Sequence, residues 1–179
     1  AVTGTAITAT AGVETSGDQT FTGTTNAGAL TSTGGSLTID GAATLNGNLT
    51  TTNDDVSVTG ATTLATDITI DTGGGGGNIA FGSTVDGAQT LDLAAGTGNV
   101  SFGGHVGATN ALTSFTVQNA NNVTVAAANL VAGVTPPASG SIDNIAADPT
   151  VITNNLNLIT NGSINTTGDQ TYSHTGTMT

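Results

Sequence analysis

Pairs of apolar residues separated by a single residue recur along this chain, and they fall into two interleaved series with a near-constant step. One series begins at Leu37, Val56, Ile79, Val100 and Val123, with steps of 19, 23, 21 and 23 residues. The other begins at Ile68, Leu91 and Phe115, with steps of 23 and 24. A further pair stands at Leu156/Leu158. Alternation of this kind marks a strand with one buried face. A helix does not compete, because Thr, Val, Ile and Asn have modest helix propensity and Gly recurs every few residues. A period near 21 residues signals a solenoid and is too short for a four-stranded propeller blade, which needs about 40. The chain therefore reads as all-β, a single-stranded parallel β-helix (β-solenoid) with about 19 to 24 residues per rung and two main strands in each.

The register follows from the two best-matched rungs. Ile79-Ala80-Phe81-Gly82-Ser83-Thr84-Val85 aligns with Val100-Ser101-Phe102-Gly103-Gly104-His105-Val106 at a shift of 21. Phe81 is then expected on Phe102 and Val85 on Val106, forming a structural ladder, because like residues in a parallel stack sit one strand spacing apart. Gly82 and Gly103, like Gly41 and Gly60 earlier, follow a strand where a corner is expected to demand a backbone conformation that Cβ hinders.

Composition agrees with a narrow architecture. Only 7% of residues are charged and 3% aromatic, so no thick core can form around large side chains. A Thr/Gly/Asn-rich chain is often disordered, but disorder leaves the periodic dyads and the 36% hydrophobic content unexplained. There is no Lys and no Arg against twelve acids, a formal charge of −12. Nucleic acid is excluded as a partner, since phosphates are bound by Lys and Arg, and anionic membranes are excluded on the same ground. The absence of cysteine leaves stability to backbone ladders and packing. No apolar run is long enough for a transmembrane helix, and the start lacks signal-peptide character; the chain reads as a portion of something longer.

One continuous solenoid is expected over residues 1–179, about eight rungs and a rod about 40 Å long at about 4.8 Å per rung. A Pro-containing excursion is expected at 134–150, where Pro136, Pro137 and Pro149 lie, and a flexible turn or bulging loop at Gly73 to Gly77. A longer repeat of about 151 residues relates 14–25 to 165–176: Thr15-Ser16-Gly17-Asp18-Gln19-Thr20-Phe21 returns as Thr167-Gly168-Asp169-Gln170-Thr171-Tyr172. Neither end shows a capping pattern, so the shaft is expected to continue within one polypeptide or by stacking on another copy.

These phrases, with Phe81 to Leu91 and Phe102 to Leu112, resemble the degenerate repeats of very large bacterial surface adhesins of the filamentous-haemagglutinin-like type. The resemblance spans about Thr15 to Tyr172. It implies a right-handed parallel β-helix, exported and extracellular or on the cell surface, serving as a stalk. The secretion-domain Asn-Pro-Asn-Gly motif is missing and an Arg-Gly-Asp tripeptide is impossible without Arg. Neither secretion route nor receptor binding carries over, and the ligand stays open.

Candidate sites are few. Parallel β-helices host lyases and hydrolases that use clustered carboxylates, often with Lys or Arg. Here the acids are scattered, mostly beside turns, as solubilising and turn-forming residues are. No catalytic residue and no cofactor is expected. Calcium is a secondary possibility, with Asp54, Asp55 and Asp71 as the metal candidates; the glycine run departs from the calcium nonapeptide, since its Asp precedes the glycines and occurs once. His105 and His174 are too far apart in sequence to suggest a metal pair. The glycine run is no phosphate loop. Five Asn-x-Ser/Thr sequons, at Asn48, Asn99, Asn122, Asn161 and Asn165, are what a chain rich in Asn and Thr produces by chance.

The expectation is a non-catalytic shaft whose partner is itself, by end-to-end or lateral assembly, or further repeats of the same chain. The alternatives are a self-assembling filament or sheath subunit, and a polysaccharide-binding or polysaccharide-cleaving β-helix.

Overall fold

The computed structural model describes residues 1–110, 112–125, 129–132, 157–160 and 163–166. Among them there is no helix, and parallel sheets stack as a β-solenoid of about five turns. β1 (Val2–Ala9) and β2 (Val13–Thr15) lie before the first complete turn, which holds β3 (Gln19–Ala27) and β4 (Leu30–Ser32). The next two turns are β5 (Leu37–Asp40), β6 (Ala43–Leu45) and β7 (Leu49–Thr51), then β8 (Val56–Val58), β9 (Thr62–Leu64) and β10 (Ile68–Asp71). There follow β11 (Ile79–Phe81), β12 (Val85–Asp86) and β13 (Thr90–Ala94), then β14 (Asn99–Phe102) and β15 (Ser114–Asn119). β16 (Asn122–Val125), β17 (Asn129–Ala132), β18 (Asn157–Thr160) and β19 (Ser163–Thr166) come last.

Each complete turn therefore has three faces, not the two that the dyads suggest. Face one runs through the start of β3, then β5, β8, β11, β14, β16 and β18. Face two runs through the end of β3, then β6, β9 and β12, and narrows to a single bridge between Val85 and Val106. Face three is a six-stranded sheet in the order β15-β13-β10-β7-β4-β2. β3 passes through faces one and two, bending at Gly23, whose φ is +132°. Face two escapes a search for aliphatic dyads because its inward pairs are Thr25/Ala27, Ala43/Leu45 and Thr62/Leu64, all buried. A narrow coil accepts a methyl or a hydroxyl where the opposite faces already supply Leu, Ile and Phe.

The two dyad series occupy faces one and three. Leu37 pairs with Val56, Val56 with Ile79, Ile79 with Val100, and Val100 with Val123. Ile68 pairs with Leu91 and Leu91 with Phe115. The inward members are fully buried, among them Leu37, Ile39, Ile70, Leu91 and Val117 at 0% exposure; each such side chain contributes about 1.5 to 3 kcal/mol relative to exposure. Near the C-terminal end, β18 sets Leu158 of the separate Leu156/Leu158 pair against Val123; Leu156 lies outside the described residues.

The stretch before Leu37, where clear dyads are scarce, forms strands all the same. Ile7, Phe21, Ala27 and Leu30 are buried there, and Ser32, Thr25 and Gln19 fill the remaining inward positions. Gln19 stands where later turns have Leu37 and Val56. Its Nε2 donates to the Thr31 carbonyl at 2.6 Å and to the Thr15 hydroxyl at 3.1 Å, so a buried amide joins neighbouring turns of face three.

The glycine run is a packed corner, not a slack loop. Asp71 Oδ1 accepts the Gly73 N–H at 2.7 Å, Asn53 Oδ1 in the preceding turn accepts the Gly75 N–H at 2.6 Å, and the buried Thr72 hydroxyl donates to the Gly77 carbonyl at 2.8 Å. The Pro-containing segment 134–150 and the second copy of the long repeat from 167 onward lie outside the described residues.

Candidate functional site

The polar chemistry of the described chain is concentrated at the corners between faces. With no Lys or Arg in the sequence, a carboxylate can be met only by N–H and O–H groups, and the corner backbone supplies them. Asp18 Oδ1 accepts the Ser36 N–H at 2.9 Å, and Asp55 Oδ1 accepts the Asn78 N–H at 2.7 Å. Asp67 Oδ1 accepts the Thr90 N–H at 2.8 Å, and Asp86 Oδ1 the Thr109 N–H at 2.7 Å. In each pair the acceptor belongs to one turn and the donor to the next. Asp40 acts through a relay: the Thr59 hydroxyl donates to Asp40 Oδ1 at 3.0 Å and accepts the Gly41 N–H at 3.0 Å.

Asparagine extends the same device, because its side chain both accepts and donates. Along the corner that leads into face one, Asn78 Nδ2 donates to Asp55 Oδ1 at 2.9 Å. Asn99 then donates its backbone N–H (2.9 Å) and Nδ2 (3.1 Å) to Asn78 Oδ1, and Asn121 Nδ2 donates to Asn99 Oδ1 at 3.1 Å. This is the side-chain ladder that a parallel stack favours. Here it spans Asp55, Asn78, Asn99 and Asn121 and satisfies corner N–H groups that no strand partner reaches.

A second column lies inside. Thr15, Ser32, Thr51 and Thr72 occupy equivalent inward positions just past the face-three dyad. Ser32, Thr51 and Thr72 are buried. Thr15 and Ser32 both donate to the Gly17 carbonyl, at 2.6 and 2.9 Å, Thr51 donates to Asp54 and Thr72 to Gly77. The hydroxyls of Thr15, Thr51 and Thr72 thus close the corner that follows each, while that of Ser32 reaches back to the corner of the preceding turn. Sequence reasoning missed this column, although its signal is present as an apolar residue followed two positions later by Ser or Thr: Leu30/Ser32, Leu49/Thr51 and Ile70/Thr72.

The ladder residues Phe81 and Phe102 pair in register on face one, and their rings stack with centroids 5.3 Å apart and planes 6° from parallel. Phe115, from face three, meets Phe102 edge-on at 5.6 Å and 76°. Val85 bridges Val106, and both are fully buried. The reason for glycine at the neighbouring corners differs from the expected one. Of Gly41, Gly60, Gly82 and Gly103 only Gly41 has a positive φ, +141°. The others are tight because corners stack: a Cβ on Gly103 would lie 2.8 Å from the Gly82 carbonyl oxygen.

The calcium candidates serve the corners. Asp55 holds Asn78, Asp71 holds Gly73, and the Asp54 carbonyl accepts from Thr51. Among the described residues no three His, Asp or Glu side chains converge as metal ligands do. His105 is half-buried beside Val106, while His174 lies outside the described residues. Asp92 is half-buried between buried Leu91 and Leu93. Burial pushes its carboxyl above the ordinary range, a hydrogen bond from Thr116 pulls the other way, and the charge of Asp67 adds to the rise.

No family model, curated protein or solved structure matches the chain.

What stands on the geometry alone is a parallel β-solenoid in which many corner Asp and Asn side chains bond to the adjoining turn. No described segment is a helix long and apolar enough to cross a membrane.

Proposed function

We propose that this chain is a segment of a structural shaft, non-catalytic and extracellular, of the kind built by the bacterial surface adhesins that its repeats resemble. One observation carries the reading: Asp18, Asp40, Asp55, Asp67 and Asp86, which a β-helix enzyme would gather in a groove, instead each accept a hydrogen bond from the next turn. Side chains so used lengthen and stiffen a rod. The partner on this reading is more of the same coil, since each turn is completed by the turn after it. A chain without Lys or Arg also offers no cleavage site to trypsin-like proteases, which suits an exposed surface.

Electron microscopy of the native full-length material tests this. The expected image is a thin fibre with an axial spacing of about 4.8 Å and a longer repeat of about 35 Å, the rise of one 151-residue unit. Discrete particles with closed ends would overturn the shaft reading.

A further inference from the structure

One open cleft, about 490 Å³ in volume, lies on the outer surface where face three meets the glycine corner. Asp71 and Ala94 come to it from the strands, and Gly73, Gly74 and Gly96 from two successive corners. Thr97, Gln118 and Asn119 complete it. These last three stand apart from the pattern described above. Asn53, Asn78 and Asn99 have their side chains tied to a neighbouring turn, whereas the side chains of Thr97, Gln118 and Asn119 make no hydrogen bond within the described residues.

The strand register explains how they come together. β13 and β15 run in step as far as Leu93 against Val117, and then Ala94 pairs with Asn119. Gln118 is the extra residue of a β-bulge, a device that re-aims a side chain and often borders a binding site. Across the cleft, Asp71 is fixed through one oxygen by the Gly73 N–H, and its other oxygen makes no hydrogen bond within the described residues. A carboxylate, two planar amides and a hydroxyl thus belong to residues that line a common volume, with hydrogen-bonding capacity left over within the described residues. Glycine backbone and the Ala94 methyl give a flat, weakly apolar lining between them.

We infer that this cleft binds a neutral oligosaccharide, engaging one or two sugar residues. Its volume falls in the range of small-ligand sites. Carboxylate and amide groups match adjacent pairs of sugar hydroxyls, which both donate and accept. An anionic ligand is disfavoured by a chain with a formal charge of −12 and no Lys or Arg. The site is compatible with the shaft reading and does not depend on it.

The test is an amide NMR titration of the ¹⁵N-labelled full chain with maltotriose, cellotriose and N-acetylchitotriose, each raised to about 20 mM, with sialyllactose as the anionic control. The expected result is a set of shifts centred on Gly73, Gly74, Gly96, Thr97, Gln118 and Asn119, produced by at least one neutral sugar. The double variant Gln118→Ala/Asn119→Ala should weaken that binding about tenfold or more while keeping a dispersed spectrum. Four results would overturn the inference: no shifts with any neutral sugar, shifts centred elsewhere, tighter binding of sialyllactose, or undiminished binding by the folded variant. Should that variant fail to fold, the location of the wild-type shifts decides alone. Shifts at these amides with calcium chloride but with none of the sugars would also refute it and point to Asp71 as a cation ligand.

Discussion

Glycines that look alike in the sequence differ in what they do. A Cβ on Gly77 would lie 2.5 Å from the Asp54 carbonyl oxygen and 2.8 Å from Thr72 Cβ, whereas a Cβ on Gly74 would meet nothing within 4 Å. Gly77→Ala should therefore cost about 1 to 3 kcal/mol by overpacking, and Gly74→Ala should stay within about 0.5 kcal/mol. Equal midpoints for the two variants in urea denaturation would show that the corner is slack. Asp92 offers a test with the opposite sign. Its carboxyl is raised in the folded state, chiefly by burial, so the folded chain binds the proton more tightly than the unfolded one. Stability therefore falls as pH rises from the unfolded to the folded pKa, and the loss persists above it. Asp92→Asn, which still accepts from Thr116, should melt above wild type at pH 7, with the gap closing as pH drops into the ordinary carboxylate range. A gap independent of pH would rule out ionisation as its source.

At the scale of elements, three-residue strands such as β7, β8 and β9 cannot stand alone, and the corner ladders decide how firmly neighbours are held in step. Asn78 accepts two hydrogen bonds from Asn99 and donates two to Asp55. Asn78→Ala should cost about 1 to 3 kcal/mol, because the Asn99 N–H loses its acceptor and Asp55 its donor side chain. Asn110→Ala is the control, since among the described residues Asn110 engages only through its backbone, and should change stability by less than about 0.5 kcal/mol. If both substitutions cost the same in thermal denaturation, the ladder holds nothing together. The dyads made the strands of faces one and three legible, down to the pairing of Phe81 with Phe102. Face two stayed hidden because its inward residues Thr25, Ala43 and Thr62 form no aliphatic dyad, although all three are buried.

For the molecule as a whole, the governing quantity is charge without compensation. Twelve acids face no Lys or Arg, and the carboxylates that accept corner N–H groups recur along the length of the rod. Their mutual repulsion favours the expanded, unfolded chain and is screened by salt. Raising sodium chloride from about 0.01 M to about 0.15 M, a change in Debye length from about 30 to about 8 Å, should raise the melting temperature. A flat or falling curve would mean that repulsion is equally strong in the unfolded chain.

By itself the sequence determined the period, the parallel stacking and the positions of the aliphatic and aromatic ladders. Those follow from local alternation and a repeat length, and both survive in one dimension. The tertiary structure decided the three-faced cross-section, the buried hydroxyl column and the use of each acid. It also decided which side chains at the Gln118 bulge make no hydrogen bond within the described residues. The reason is physical: whether a Thr is interior, whether a glycine has room for a methyl, and whether an Asp is a clip or a free ligand depend on residues about twenty positions away, which only the coiling of the chain brings within reach.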